Sequence, residues 1–461
     1  MSTCPEKYYT ILHDYQGGTM KNDRLFKRIC ILFLVVFLMS CAKGPFIAQQ
    51  KAAIPAMKAV TKPVQPPKTA PLQIQPPEAR QPEVKSPVIL PLSSPVNRNT
   101  IGCIFPLTGR FGDAGGKALD AVLLSAEIFN QRFPSPWKII VADSGDSAEK
   151  IKQAVAYLAD QTKVMAIVAI SGTVEATDAA REAQKRQVPL IMITSKEGVT
   201  EVGEYVFQHF LTPTQQIEAL TKYARDTLNV GIFSVLYPQD DYGEEMVRHL
   251  RSEVQKTGGK VDKAIPYNKT QTDFTEQIKK LTGNNKIGTS ETVYATTEDA
   301  QNSLSLDFEA LFIPDSVLRV KMITSQLAFY DVKGLKLLGP SLWHSPDLMK
   351  KGVEYLEGAS FVDSFLVDGF LPQTNDFVDI YYSAYGREPG NIEALSYDTM
   401  EMVLSILEDQ QIKTRAEFIR ALLALEGFRG ATGSISFGGN RVAQKGAFIL
   451  RVQNGKIEQV K

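Results

Sequence analysis

Histidine, cysteine and long apolar runs are all scarce in this chain, and each scarcity closes off a class of function. Four histidines stand among 461 residues: His13, His209, His249 and His344. They lie far apart in sequence, which leaves little material for a metal centre or for histidine-based catalysis. Four cysteines are too few for a disulfide scaffold. No apolar run approaches the ~20 residues that a membrane-spanning helix needs. An excess of either charge is missing too, with 51 basic and 51 acidic residues. No Gly-x-Ser-x-Gly elbow occurs. The turn at Gly115-Gly116-Lys117 fails as a phosphate loop, because Phe111 and Ala118 stand where glycine and a hydroxyl residue are required. An enzyme is therefore not expected. What is present is ordinary: 44% hydrophobic and 22% charged residues, the composition of folded domains rather than of a disordered chain.

The even charge balance hides an asymmetry. Residues 1–41 are net +2 and residues 42–98 net +6, so the body from 99 onward is net −8. An acidic body without a basic stripe argues against nucleic-acid binding. Near the start, Lys21, Arg24, Lys27 and Arg28 precede eleven apolar residues, Ile29 to Met39. A basic segment followed by a short apolar one is an export leader. It ends in Leu38-Met39-Ser40-Cys41, which resembles the lipobox of bacterial lipoproteins, and that resemblance implies lipidation of Cys41. Residues 1–40 are read as the leader, with Met20 as the expected true start. Cys4 and Cys30 then leave with the leader and Cys41 carries lipid. Cys103 alone remains, a buried strand residue rather than a nucleophile.

Residues 41–97 read as the anchor and a tether. Twelve of the 25 prolines fall within 42–97, with Phe46 the single aromatic. Such a segment forms no core and favours polyproline II. Fully extended it spans roughly 170 Å.

From residue 98 the pattern alternates strand and helix. Ile101–Phe105, Lys138–Ala142, Met165–Ile170 and Leu190–Ile193 are buried-type strands. Between them lie a helix capped by Ser147 and another that follows Thr173. A second set follows Pro213. Strands are expected at Val230–Leu236, Val261–Pro266, Ala310–Ile313 and Leu335–Leu338. Helices are expected at Gly243–Lys256, Phe274–Leu281 and Ser316–Phe329. The fold class is α/β, with two doubly wound parallel-sheet lobes and a cleft between their carboxyl ends. The polar stretch 284–305 joins a helix to a strand, so it reads as a surface loop at the amino end of a sheet rather than a lid.

Ile101-Gly102-Cys103-Ile104-Phe105-Pro106-Leu107-Thr108-Gly109, with a helix ending at Asn130, resembles the start of type I periplasmic binding proteins of the branched-chain amino acid receptor group. Asp241-Tyr242-Gly243, Glu393-Ala394 with Tyr397-Asp398, and Thr432-Gly433-Ser434-Ile435-Ser436-Phe437 resemble later motifs of that family, in the same order. The resemblance implies three passages between lobes, placed near 216, 365 and 432. Lobe 1 would hold 98–216 and 366–432, and lobe 2 would hold 217–365 and 433–461.

The resemblance also implies a ligand site. Ser171, Gly172 and Thr173, then Thr194 and Ser195, match the turns that hold a ligand carboxylate. A hydroxyl-rich strand-to-helix turn offers N–H donors at a positive helix end, and Thr173 would serve as both cap and anion site. Tyr242 would contact the ligand or pack between lobes. The second-lobe acid that holds an ammonium in amino acid receptors is missing at the matching turn, Gly339-Pro340-Ser341-Leu342-Trp343. Asp315 either supplies that charge or caps the helix after it. Ser341 and Trp343 either line the cleft or, for Trp343, close the lobe interface. Ala310-Leu311-Phe312-Ile313-Pro314-Asp315 resembles a subgroup that activates penicillin-binding proteins from the outer membrane. Two functions are thus expected. One is a lipid-anchored solute-binding protein serving an ABC permease or a sensor, with a small polar, amino-acid-like or carboxylate ligand. The other is an activator that touches a peptidoglycan synthase. No cofactor or metal is expected.

Overall fold

Short apolar segments rich in β-branched residues assemble first into a parallel sheet. In the computed structural model, which describes residues 9–10, 95–130, 132–145, 147–283 and 306–460, these are β2 (Asn97–Phe105), β3 (Lys138–Asp143), β4 (Val164–Ile170), β5 (Leu190–Ile193) and β6 (Val206–Gln208). A two-residue strand, β1 (Tyr9–Thr10), lies antiparallel on the outer edge. The order is β1-β3-β2-β4-β5-β6. Strands covered on both faces read as unbroken apolar runs, and β4, Val-Met-Ala-Ile-Val-Ala-Ile, is the clearest case. Cys103 is fully buried in β2 and makes no disulfide, and burial pushes its thiol up. Of the leader, Cys41, the tether and the 284–305 insertion, only Tyr9–Thr10 and residues 95–97 fall within the described residues, and Asn97 already begins β2.

Helices cover both faces of this sheet. On one side lie α2 (Ala148–Ala156) and α3 (Ala176–Lys185), whose Ile151, Val155, Ala179 and Ala183 pack against Ile104 and Ile167. Ser147 caps α2, accepting from the Lys150 amide, as its position before the apolar stripe suggests. On the other side lies α1 (Gly112–Ser125), which ends five residues before the expected Asn130. It packs against helices from far along the chain, α8 (Pro372–Tyr385) and α9 (Asn391–Glu408), through Ala121, Phe377, Tyr381 and Ala394. Helix α10 (Arg415–Leu423) begins with a capping box. Its buried Arg415 donates to the backbone carbonyls of Ala159 and Val164 and so ties α10 to this lobe.

The second sheet repeats the plan. It contains β7 (Ile232–Pro238), β8 (Lys260–Tyr267), β9 (Ala310–Phe312), β10 (Lys336–Gly339) and β11 (Ser360–Asp363). Their order is β8-β7-β9-β10-β11, and two antiparallel strands, β15 (Phe448–Gln453) and β16 (Lys456–Gln459), extend it beyond β11. Helices α4 (Pro213–Asp226), α5 (Asp241–Lys256), α6 (Thr275–Thr282) and α7 (Val317–Phe329) cover it. A small sheet of β12 (Phe428–Gly430), β13 (Gly433–Phe437) and β14 (Ala443–Lys445) completes the body.

The passages between lobes differ from two of the three expected positions. Ile217, Leu220 and Ala224 of α4 already pack in lobe 2, so the first passage is 209–212 rather than near 216. The second spans 364–371. The third is not near 432 but at 446–447. Residues 433–445 lean on lobe 1: Phe437 meets Phe207 edge to face at 5.5 Å, and Gln208 donates its amide to Arg441 O. Lobe 2 regains the chain only at β15.

Candidate functional site

Both sheets share one strand order, so both have the same switch point. In lobe 1 the chain leaves β2 toward one face and β4 toward the other, which opens a crevice at their carboxyl ends. Strands β7 and β9 do the same in lobe 2. The passages leave β6 and β11 at those same ends, so the two crevices face one cleft. Each crevice is narrowed by a helical glycine. A Cβ on Gly115 would lie 2.2 Å from Pro106 O, and one on Gly243 would lie 2.1 Å from Pro238 O. Only glycine lets these helices approach the strand ends so closely.

In lobe 1 the crevice holds Ser171 and Gly172, together with Phe111, Ser144, Gly145 and Glu175. The expected carboxylate turn is therefore half assembled. Thr173 is exposed and does not cap the following helix: Glu175 is the N-cap residue of α3 and no side chain caps it by hydrogen bond. Glu175 folds back so that its Oε2 would lie 2.9 Å from a Cβ on Gly172. The protein's own acid thus stands where a ligand anion was expected, at the positive end of a helix. Thr194 is sunk in the core. Its hydroxyl accepts from Lys196 N, and its carbonyl accepts from Gln208 Nε2 at 2.7 Å, with Ser195 half-buried beside it. Asp143, not foreseen, fills the turn after β2. It accepts from the Leu107, Thr108 and Gly145 amides and from the Thr108 hydroxyl. Burial opposes its ionisation, but these donors outweigh burial and hold the carboxyl below its usual range.

In lobe 2 the switch point brings Tyr242 and Asp315 together. Asp315 accepts from Tyr267 OH at 2.7 Å and from the Ser316 amide. Ser316, not Asp315, is the N-cap residue of α7. Tyr242 packs half-buried on the lobe 2 core, and burial followed by the charges of Asp315 and Asp240 pushes its hydroxyl up. Asp240 caps α5 through Gly243 N and pairs with Lys269 at 2.6 Å. Tyr242, Asp240 and Asp315 border this face, with the core-buried Tyr267 holding Asp315 from beneath, an arrangement suited to a cation or a hydrogen-bond donor.

Two expected residues lie elsewhere. Trp343 lines neither the cleft nor the lobe interface. It is fully buried in the lobe 2 core, donates Nε1–H to Ile313 O at 3.1 Å, and covers Gly339, where a Cβ would strike its ring at 2.1 Å. Ser341 is half-buried and donates its amide to Gln216 Oε1 at the start of α4.

The passages carry a polar network that sequence reading missed. His209 is fully buried, with Nδ1 2.8 Å from Thr399 Oγ1 and Nε2 2.8 Å from Lys445 Nζ. Lys445 also donates to Thr432, whose hydroxyl and amide both donate to buried Asp398. Asp363 at the end of β11 pairs with His344 at 2.6 Å. Burial pushes the Lys445 ammonium down to about 8, with Asp398 and Asp363 offsetting part of that effect. No single local motif announces groups drawn at once from α9, β14, the residue after β6 and the turn between β12 and β13.

Comparison with known proteins follows the same outline. The family described as periplasmic binding protein matches residues 99–287 and 322–456. No curated protein is detectably similar to the chain. Among solved structures, the branched-chain amino acid transporter substrate-binding protein LivJ of Streptococcus pneumoniae, in complex with isoleucine, superposes with a TM-score of 0.61 at 21% identity, covering 80% of this chain and 100% of that one. An ABC transporter substrate-binding protein from Sphaerobacter thermophilus gives 0.64 at 18% identity, covering 80% and 96%. A solute-binding protein of an ABC transporter from R. palustris, in complex with benzoate, gives 0.58 at 14% identity, covering 78% and 95%. At such identities the likeness is one of fold. With the family match extending over most of the sequence and the doubly wound lobes it calls for both present, the chain belongs to the periplasmic binding protein family.

Proposed function

We propose that this protein is a lipid-anchored, extracytoplasmic solute-binding protein that closes its lobes on a small polar ligand and delivers it to an ABC permease or a sensor. One observation carries the reading. The paired switch points support a site with Ser171 and Gly172 on the lobe 1 side and Tyr242 and Asp315, the latter held by buried Tyr267, on the lobe 2 side. Asp315 supplies the negative charge that an amino-acid-like ligand's ammonium requires, and Ser171, Gly172, Thr173 and Ser195 offer hydroxyls and amides to its carboxylate. The solved relatives that hold isoleucine and benzoate support a ligand of this size. The role is binding, not catalysis. The lipid on Cys41 and the tether hold the body away from a membrane, with the outer membrane preferred.

A second reading is supported by Glu175, which crowds the anion turn with the protein's own charge. In that reading the cleft is degenerate and the fold serves as an activator that contacts a peptidoglycan synthase. Thermal melting against amino acids, small aliphatic and aromatic carboxylates and peptidoglycan fragments separates the two. A ligand at 100 times its dissociation constant adds about 2.7 kcal/mol of stability, readily seen as a shift of a few degrees. A shift with one ligand supports the receptor. Silence across the panel together with capture of a peptidoglycan synthase replaces it with the activator.

A further inference from the structure

His249 sits on α5 of lobe 2, one helical turn after Glu245, so both side chains project from the same face. Across the cleft, the turn after β5 in lobe 1 ends at Gly198, whose φ of +73° reverses the chain and presents Glu197 toward α5. His249 Nε2 lies 2.9 Å from Glu197 Oε2 and 3.8 Å from Glu245 Oε1. The three ligand-type atoms all fall within 4.8 Å of one another, and the residues are half-buried.

Two features set this cluster apart from an ordinary ion pair. First, Nε2 is shut off from solvent, with the Glu197 oxygen 2.9 Å away and Glu245 beyond it, and no contact there satisfies the geometry of a good hydrogen bond. A ring nitrogen facing two carboxylates is a donor set that suits a shared cation. Second, one residue orients both lobes' contributions. Thr214, in the first turn of α4, places its hydroxyl 3.3 Å from His249 Nδ1 and donates its amide to Glu197 Oε1 at 2.8 Å. A hydroxyl accepting from Nδ1–H leaves the Nε2 lone pair for a metal, and such outer partners are what fix ligand tautomer and direction. Bonds of ~2.0–2.2 Å to a tetrahedral zinc set ligand atoms roughly 3.2–3.6 Å apart. The observed 2.9 and 3.8 Å bracket that range. Arg248 reaches Glu245 Oε1 at 3.6 Å, but its side chain is 70% exposed and free to swing away.

We propose that Glu197, Glu245 and His249 form a site for one divalent cation of the zinc class, completed by water, that bonds lobe 1 to lobe 2. Scarcity of histidine argues against a metal centre assembled from imidazoles, but this site needs only one. A cation here favours the lobe arrangement that brings Glu197 to α5. By reciprocity, any ligand that closes the cleft tightens the metal, and the metal tightens that ligand.

The test is calorimetric titration of the full, tag-free chain with Zn2+ in metal-free buffer. One Zn2+ per chain is expected, with Co2+ giving the visible absorption of a tetrahedral site. His249→Gln, Glu197→Gln and Glu245→Gln should each weaken binding at least tenfold, with circular dichroism unchanged. Absence of stoichiometric binding, or affinity unaltered by His249→Gln, overturns the site and leaves a simple ion pair. Loss with His249→Gln but not with Glu197→Gln overturns the bond between lobes.

Discussion

The two lobes share a strand order, a switch point and a glycine pressed against a proline carbonyl, yet their turns carry opposite chemistry. Lobe 1 offers hydroxyls and amides, already partly claimed by Asp143 and Glu175. Lobe 2 offers Tyr242 and Asp315, the latter held from beneath by the buried Tyr267. What the lobes have in common is what the fold requires of the backbone. What separates them lies in loops whose side chains the sheet does not constrain. In the proposed receptor, this difference would let the two lobes recognise the two ends of a ligand by different means.

Breaking the shared part should have the largest effect. Gly115→Ala and Gly243→Ala each put a Cβ within 2.2 Å of backbone oxygen, with no flexible group to yield. Each should cost about 3 kcal/mol in urea unfolding. Similar losses would show that the lobes depend equally on this approach, and a small loss at one site would end the parallel.

The network between the lobes comes next. Burial holds His209 well below its usual pKa of 6.5, so it is neutral in the folded protein. The unfolded chain binds the extra proton below 6.5, so stability is lost as pH falls through that range, by up to about 1.4 kcal/mol per pH unit. His209→Gln should flatten this dependence in melts between pH 7 and 5. A slope unchanged in the variant would assign the acid sensitivity to other groups.

The smallest effect sharpens the contrast between turns. Glu175→Gln removes the acid that covers Gly172 and should raise affinity for a carboxylate ligand about threefold to tenfold, roughly 1 kcal/mol. Calorimetry with the ligand found by melting reads it directly, and unchanged affinity would place the carboxylate elsewhere.

Elements buried on both sides were legible in the sequence. Leu190–Ile193 is expected and observed with the same bounds, because a fully covered parallel strand is an unbroken apolar run. Ser147 as a cap was legible for a similarly local reason. The third passage was not, because the sorting of β13 and β14 depends on where Phe437 and Arg441 dock rather than on their own pattern. Trp343 misled because a large aromatic after a strand suits either a cleft or a core, and Gly339 beneath it decides. Thr173 misled because its turn runs two residues further before α3 begins. The spacing of Glu245 and His249 was visible all along, but the partner that gives it meaning lies in the other lobe.

The antiparallel pairing of β15 with β11 governs the order in which the chain can take shape. Synthesis delivers residues 97–208 early, but the α8 and α9 face that covers them arrives only with 372–408. The edge of β11 stays bare until 448–453 emerge, and a bare edge is an invitation to mispairing. Neither half can finish before nearly all of the polypeptide is available. A chain wired in this way remains threadable for most of its synthesis, and locks only when its last strands have come through.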